Sequence, residues 1–310
     1  MTSEPTEATG TFSAAVLLVA LGAIAIVVVL VRTSMTGDFM STAEPPDFGF
    51  IRDGEALVVA NSTESTVAWE LPDRAADASM FIESVEPIDA RRVLVGVCCE
   101  PPEGRQRLID ISTATLELLP IDSRFPFVSE DGSSFVSGGF DVRLEELRGL
   151  LAYEAGGIGV VVPGPVVRNG EGEFLFRPVT LPDDRVAFVD GTSGPVVVTD
   201  EMGVELLSTT IERALLIDYD PINDVVLVLS GERRGDGSLA GDTIDVLSVG
   251  SLASVTQWTL TEPVSAIDVR NGWILLSDTA GSLRTRPLAD PYAPAITLVE
   301  SNVSAASWLR

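Results

Sequence analysis

The chain has 310 residues, 45% of them hydrophobic, and sets 46 acidic side chains against 20 basic ones for a formal charge of -26. That apolar content fills one large or two medium cores and excludes a disordered polymer. Every basic residue is arginine and histidine is absent, which rules out Ser-His-Asp and Cys-His catalytic pairs, histidine-ligated zinc or copper, and imidazole proton shuttles. The charge opposes nucleic acid and acidic membrane surfaces; a solubility coat, a partner with a basic patch or a divalent cation would all suit it.

Residues 1–11 are a short polar tail with two glutamates and no basic side chain. Residues 12–31, FSAAVLLVALGAIAIVVVLV, run without a charge up to Arg32. At about 1.5 Å per residue such a run spans a hydrocarbon core of about 30 Å, so one N-terminal transmembrane helix is expected. A cleaved signal peptide is the rival, with Ser41-Thr42-Ala43 resembling a cleavage site, but its apolar region is ordinarily about 7 to 15 residues long behind a basic start. Residues 32–48 hold Ser, Thr, Gly and Pro without periodicity and read as a linker.

From residue 49 to 310, short β-branched runs recur behind similar turn signals. ALVVA at 56, RVLVGV at 92, SSFVSG at 133, RVAFVD at 185, VVLVLS at 225 and WILLSD at 273 follow RDG, PIDA, EDG, PDD, DPIND and RNG. Asp, Asn, Gly and Pro suit tight turns because they tolerate left-handed dihedrals or preset φ. Several copies continue into a further strand, as at RLIDIS 107, GPVVVTD 194, DTIDVLSV 242 and GSLRTRPL 281. Only DVRLEELRGLLAYEA at 141–155 shows helical spacing. The repeat, at intervals of roughly 36 to 52 residues, is close to a four-stranded propeller blade. Stacking such units around an axis buries both faces of each, so the expected fold class is all-β, a β-propeller of six blades, behind the transmembrane helix. GGIGVVVPG at 156 would start a seventh, and a β-sandwich is the structural alternative. The ending VSAASWLR echoes VSAIDVRN at 264 and is expected to pair with the first blade.

On these motifs, residues 49–310 resemble bacterial β-propeller proteins of the WD-repeat-like kind, whose blades often carry a Ser-x-Asp-Gly turn. VSEDGSSFVSG is the nearest match; PDD, DPIND and RNG depart from it, and the Gly-His and Trp-Asp signatures of true WD repeats are missing.

Cys98 and Cys99 are the only cysteines. In a strand, one would face in and one out, both reduced. A bond between neighbours whose Cα atoms lie about 3.8 Å apart is strained and needs a special turn, which Glu100, Pro101 and Pro102 can supply. The string Cys-Cys-Glu-Pro is similar to one in secreted bacterial propeller proteins, and that resemblance implies a vicinal Cys98–Cys99 disulfide. Positive charge at Arg32 alone favours a cytoplasmic domain. An oxidising compartment favours the opposite, and the expectation is a single-pass protein of the cell membrane with its C-terminal domain extracytoplasmic.

Other candidates have ordinary structural readings. Asp218, Asp220, Asn223 and Asp224 lie close enough to suggest calcium, or make a plain turn. Arg233 and Arg234 in GERRGDGSLAGD could meet an anion, or sit on a hairpin loop, and the RGD at 234–236 is discounted as chance. Trp69, Trp258, Trp273 and Trp308 could line a sugar cleft, or fill the core. No catalytic residue, cofactor or metal ligand is assigned. The expected function is a binding or scaffolding module for a protein or envelope-glycan ligand, with no nucleic acid; the alternative is a carboxylate-dependent envelope glycan hydrolase or lyase.

Overall fold

The middle strands are buried on both faces and the outermost strands are largely exposed. The computed structural model describes residues 39–71, 80–98, 106–119, 125–128, 134–138, 150–154, 160–162, 179–183, 185–190, 194–200, 204–235 and 238–310. The apolar run 12–31 and Cys99 lie outside these, and among the described residues no helix is long and apolar enough to cross a membrane.

The regular structure of the described residues is all β, in antiparallel sheets. Sheet 1 contains β1 (Phe48–Arg52), β2 (Ala56–Ala60) and β3 (Ser65–Glu70). Sheet 2 is β4 (Phe81–Pro87), β5 (Arg92–Cys98), β6 (Gln106–Asp110) and β7 (Thr115–Leu119). Sheet 3 is β8 (Phe125–Val128), β9 (Ser134–Gly138), β10 (Leu150–Glu154) and β11 (Val160–Val162). Sheet 4 is β12 (Val179–Thr180), β13 (Val186–Val189), β14 (Val196–Thr199) and β15 (Glu205–Thr209). A seven-stranded sheet follows: β16 (Ala214–Asp220), β17 (Val225–Arg233), β18 (Leu239–Ser248), β19 (Ser254–Arg270), β20 (Trp273–Asp278), β21 (Leu283–Pro287) and β22 (Ile296–Val299). The last strand, β23 (Val303–Trp308), pairs antiparallel with β1 and completes sheet 1 in the order β23-β1-β2-β3.

The seven-stranded sheet is two four-stranded units sharing one long strand. β19 pairs with β18 mainly through Ser254–Thr259 and with β20 through Val264–Arg270. Pro263 lies at the changeover, where a residue without an N–H loses least. Counting its halves separately as sheets 5 and 6, the described strands form six antiparallel four-stranded units, and no hydrogen-bonded sheet closes on itself.

Consecutive units share cores. Val226 and Val228 of β17 face Ala187, Val189, Val196 and Val198 of sheet 4, while Val225, Leu227 and Leu229 share a core with Ile267, Ile274 and Leu276 of sheet 6, joined by Trp258 from the outer strand of sheet 5. Trp273 and Leu275 turn the other way, onto Phe48, Phe50 and Trp308 of sheet 1. On the far side of sheet 1, Ile51 and Leu57 meet Ile82, Val85, Val93 and Val95 of sheet 2. Each fully buried side chain of this kind is worth about 1.5–3 kcal/mol of transfer free energy, and strands buried on both faces read as unbroken apolar runs.

Four of the turns are those expected from composition. Asp53-Gly54 and Asn271-Gly272 have positive φ at both residues, and Asp183 and Asp224 are left-handed at the β12–β13 and β16–β17 turns, as are Ala114 and Leu252 at the β6–β7 and β18–β19 turns, where composition gave no signal. Two readings need correction. Residues 150–154, inside the segment with helical spacing, are strand β10, where Leu150, Leu151 and Ala152 pair with β11. GGIGVVVPG does not open a new unit: its Val160–Val162 is β11, the fourth strand of sheet 3.

Candidate functional site

The first strands of sheets 5, 6 and 1 carry the most distinctive polar grouping among the described residues. Asp218 of β16, Asp268 of β19 and Ser307 of β23 occupy equivalent places on successive strands. Asp218 accepts the Val269 N–H at 2.5 Å across the seam, and the Tyr219 N–H at 2.9 Å. Asp268 repeats the pattern one sheet further on, accepting the Trp308 N–H at 3.0 Å and the Ser307 hydroxyl. Burial, then the neighbouring Asp268 charge, holds the Asp218 carboxyl well above the usual carboxylate range. Chemically, each carboxyl ties its own strand to the next sheet through a backbone N–H.

At the adjoining hairpin ends, residues 39–42 lie across the β16–β17 and β19–β20 turns. The Asn223 carboxamide accepts the Met40 N–H at 2.7 Å and donates to the Met40 carbonyl at 2.9 Å. Ser41 donates to the Gly272 carbonyl at 2.7 Å, Thr42 N–H to the Asn271 carbonyl at 3.1 Å, and the Trp273 indole to the Thr42 carbonyl at 3.0 Å. Phe39 packs on the core between sheets 5 and 6. A side chain at Gly272, where φ is +74°, would put Cβ 1.9 Å from the Met40 carbonyl oxygen, so glycine is required here twice over. The linker read at 32–48 is therefore, from residue 39, a strap bonded to the domain.

The calcium candidates do not converge on a common point. Asp218 is held by the Val269 and Tyr219 N–H groups; Asp220, fully buried, accepts from Asn223 and from the Gly272 N–H at 3.3 Å; Asp224 accepts from the Tyr219 hydroxyl at 3.3 Å. Burial raises the Asp220 pKa, opposed by Asn223, the Gly272 and Ile222 amides and the Arg270 charge. Among the described residues, no group of three or more carboxylate or thiol side chains could hold a metal ion.

The tryptophans are core residues rather than a cleft. Trp258, Trp273 and Trp308 are buried, and the Trp308 indole donates to the Trp273 carbonyl at 3.1 Å; Trp69 is half-buried against the core between sheets 1 and 2. The Gly-rich segment at 231–242 is mostly strand: Arg233 ends β17, Leu239 begins β18, and Arg234 N–H bonds to the Ser238 carbonyl at 2.9 Å between them. Its Gly241 makes room for Leu229, whose side chain lies 2.4 Å from where a Cβ would be. Cys98 is the buried last residue of β5; the candidate bond to Cys99 falls outside the described residues.

On sheet 6, Arg284 and Arg286 line a shallow recess with Leu260, Val264 and Leu276. Arg284 pairs with Glu262 and with Asp278 at 3.2 Å, and Arg286 donates to the Pro291 carbonyl at 2.6 Å. Neither Asp268 nor Ser307 was singled out by reading the sequence for chemistry. The signal was present in the echo between VSAIDVRN and VSAASWLR, which aligns the two residues, and in the shared Ile-Asp of LIDYD.

No family and no curated protein matches this chain. Among solved structures, it is similar to a protein of unknown function from Bacteroides caccae, at 12% identity and a TM-score of 0.55, over 86% of this chain and 99% of that one. A mitotic checkpoint complex aligns at 10% identity and a TM-score of 0.49, over 87% of each chain. The first likeness bears on the fold alone.

Proposed function

We propose that residues 49–310 close into a six-bladed β-propeller of the WD-repeat-like kind, and that this domain is a binding or scaffolding module at the cell envelope. Residues 12–31 anchor it as a single transmembrane helix, with the domain outside the cytoplasm and the vicinal Cys98–Cys99 disulfide formed there. Support for the ring comes from the order of the seams. Sheet 1 packs on sheet 2, sheet 4 on sheet 5, sheet 5 on sheet 6 and sheet 6 back on sheet 1, while β4 of sheet 2 touches β8 of sheet 3. The observation that carries the reading is the pairing of β23 with β1: a C-terminal strand that completes the first unit leaves the turns, rather than open edges, as the surface offered to partners.

No catalysis belongs to this reading. A protein with a basic patch, or an envelope glycan, suits a chain of charge -26. The test is in two parts. A membrane-impermeant protease added to intact cells or spheroplasts should digest residues 49–310, and complete protection would overturn the orientation. Cross-linking in the native membrane should recover the same partner repeatedly. Turnover of a cell-wall glycan by the full chain, abolished by one Asp or Glu substitution, would overturn the binding module in favour of a hydrolase.

A further inference from the structure

Residues 39–42 give the domain two distinguishable ends. The strap bonds to the β16–β17 and β19–β20 turns, and its Ser41 hydroxyl also accepts the Ala289 N–H of the β21–β22 connection at 3.2 Å. Leu288 N–H bonds in turn to the Gly272 carbonyl at 2.7 Å, so these three connections and the strap share one end of sheets 5 and 6. The opposite end is held by a separate chain of bonds. Val303 N–H reaches the Gly281 carbonyl of the β20–β21 turn at 2.9 Å, Asp53 N–H the Asn302 carbonyl at 2.9 Å, and Ile82 N–H the Gly54 carbonyl at 2.8 Å. Apolar exposure gathers around the strap. Met40 is 61% exposed, Tyr292 of the β21–β22 connection 51%, and Ile222, beside the Asn223 that grips Met40, 36%. At the opposite end stands Phe81, the residue before Ile82.

The chain that leads into the strap says what covers this patch. The apolar run 12–31 stops at Arg32, and seven residues, 32–38, separate it from Phe39. Even fully extended, seven residues reach about 25 Å. Without the strap bonds the leash would run on to Phe48, where β1 begins, and its sixteen residues would reach about 55 Å. Fastening residues 39–42 therefore more than halves the leash and fixes its point of attachment at one end of the strands.

We propose that the strap end of sheets 5 and 6 rests on the bilayer that residues 12–31 enter, with Met40, Ile222 and Tyr292 in its interfacial layer and the end that carries Phe81 turned away, toward partners. The inference rests on the reading of residues 12–31 as a membrane helix. Tyrosine, with an apolar body and a polar tip, suits the headgroup level. Charge gives no help, since a chain of -26 is not drawn to lipid headgroups. The contact is apolar, and the short leash supplies the effective concentration that three side chains alone would lack.

The test uses the full chain reconstituted into vesicles of phosphatidylcholine and, in parallel, of phosphatidylcholine brominated high on its acyl chains, which quenches indole fluorescence on contact. Ile222→Trp, Tyr292→Trp and Phe81→Trp are each compared with the wild type, whose own tryptophans set the background. All three positions are exposed, so the substitutions leave the core intact. The brominated lipid is expected to remove most of the emission that Ile222→Trp and Tyr292→Trp add, and to spare that of Phe81→Trp. Retention of the chain in the vesicles through an alkaline wash reports on the anchor separately. A retained chain with no quenching at positions 222 and 292 overturns the docking and leaves the anchor standing. Equal quenching at all three positions also overturns it, because the domain would then have no preferred end. A chain washed off the vesicles overturns both readings.

Discussion

Two seams of the domain share an apolar middle and differ in the acidic residue that their first strands carry. Between sheets 1 and 2, Ile51, Leu57, Ile82, Val85, Val93 and Val95 interlock, and β4 carries Glu86 opposite Leu94, at the place that Asp218 and Asp268 hold on β16 and β19. The run from sheet 5 through sheet 6 to sheet 1 has an equally apolar middle, but its first strands are joined by Asp218, Asp268 and Ser307. Hydrophobic contact is strong and indifferent to pH. Carboxyls aimed at particular N–H groups add direction and register. The seam that includes the C-terminal strand is the one where register matters most, because β23 has to find β1 after the whole chain has been laid down.

The largest expected effect breaks the apolar seam. Leu57→Ala, at a position with no solvent exposure, should lower stability by about 2–5 kcal/mol, and by the same amount at every pH tested by denaturant unfolding. A pH-dependent loss would mean that the two seams are not separate.

Next are two turns of like conformation. Gly54 and Gly272 both have positive φ, but only Gly272 lies under the strap. Gly54→Ala should cost about 1 kcal/mol from the left-handed backbone alone. Gly272→Ala should cost about 1–3 kcal/mol, and it should also free residues 39–42, seen as new cleavage there by limited proteolysis. Asn223→Ala removes both Met40 bonds without touching the turn backbone, and should release the same segment at a cost of about 1 kcal/mol.

The smallest expected effect is at a turn outside both seams. Asp110, at the exposed β6–β7 turn, is held down to about 2 by the Ser112 hydroxyl, the Ser112 N–H and Arg91, against some desolvation. A lowered carboxyl contributes stability above its ordinary value and loses it as pH falls toward about 2. Asp110→Asn should therefore lower stability by a constant amount above the ordinary carboxylate range and flatten the acid limb, the two proteins converging as pH falls toward about 2.

The second and third strands of the units were legible in the sequence because they are buried on both faces: VVLVLS and WILLSD are apolar at every position that packs between sheets. Turns were legible through Asp-Gly and Asn-Gly, whose left-handed backbone is nearly the only purpose of that pairing. The outermost strands were not. β3 (STVAWE), β15 (ELLST) and β22 (ITLV) leave most residues partly or fully exposed, so nothing selects for an apolar run and no alternation stands out. β10 was misread because Leu150, Leu151 and Ala152 follow a stretch whose charges fall at helical spacing, and local pattern gives no hint that β9 and β11 are waiting on either side. The Asp218–Asp268 pair escaped because its chemistry depends on residues 50 positions apart. Only the fold sets them side by side.

The most direct test concerns the closing strand, and it is hydrogen exchange in the full chain, read amide by amide. The expected result is that the β1-bonded amides of Val303–Trp308 are protected as strongly as those of Ala56–Ala60, the other strand paired with β1. Exchange of Val303–Trp308 at the rate of a frayed terminus, with Ala56–Ala60 still protected, would contradict it.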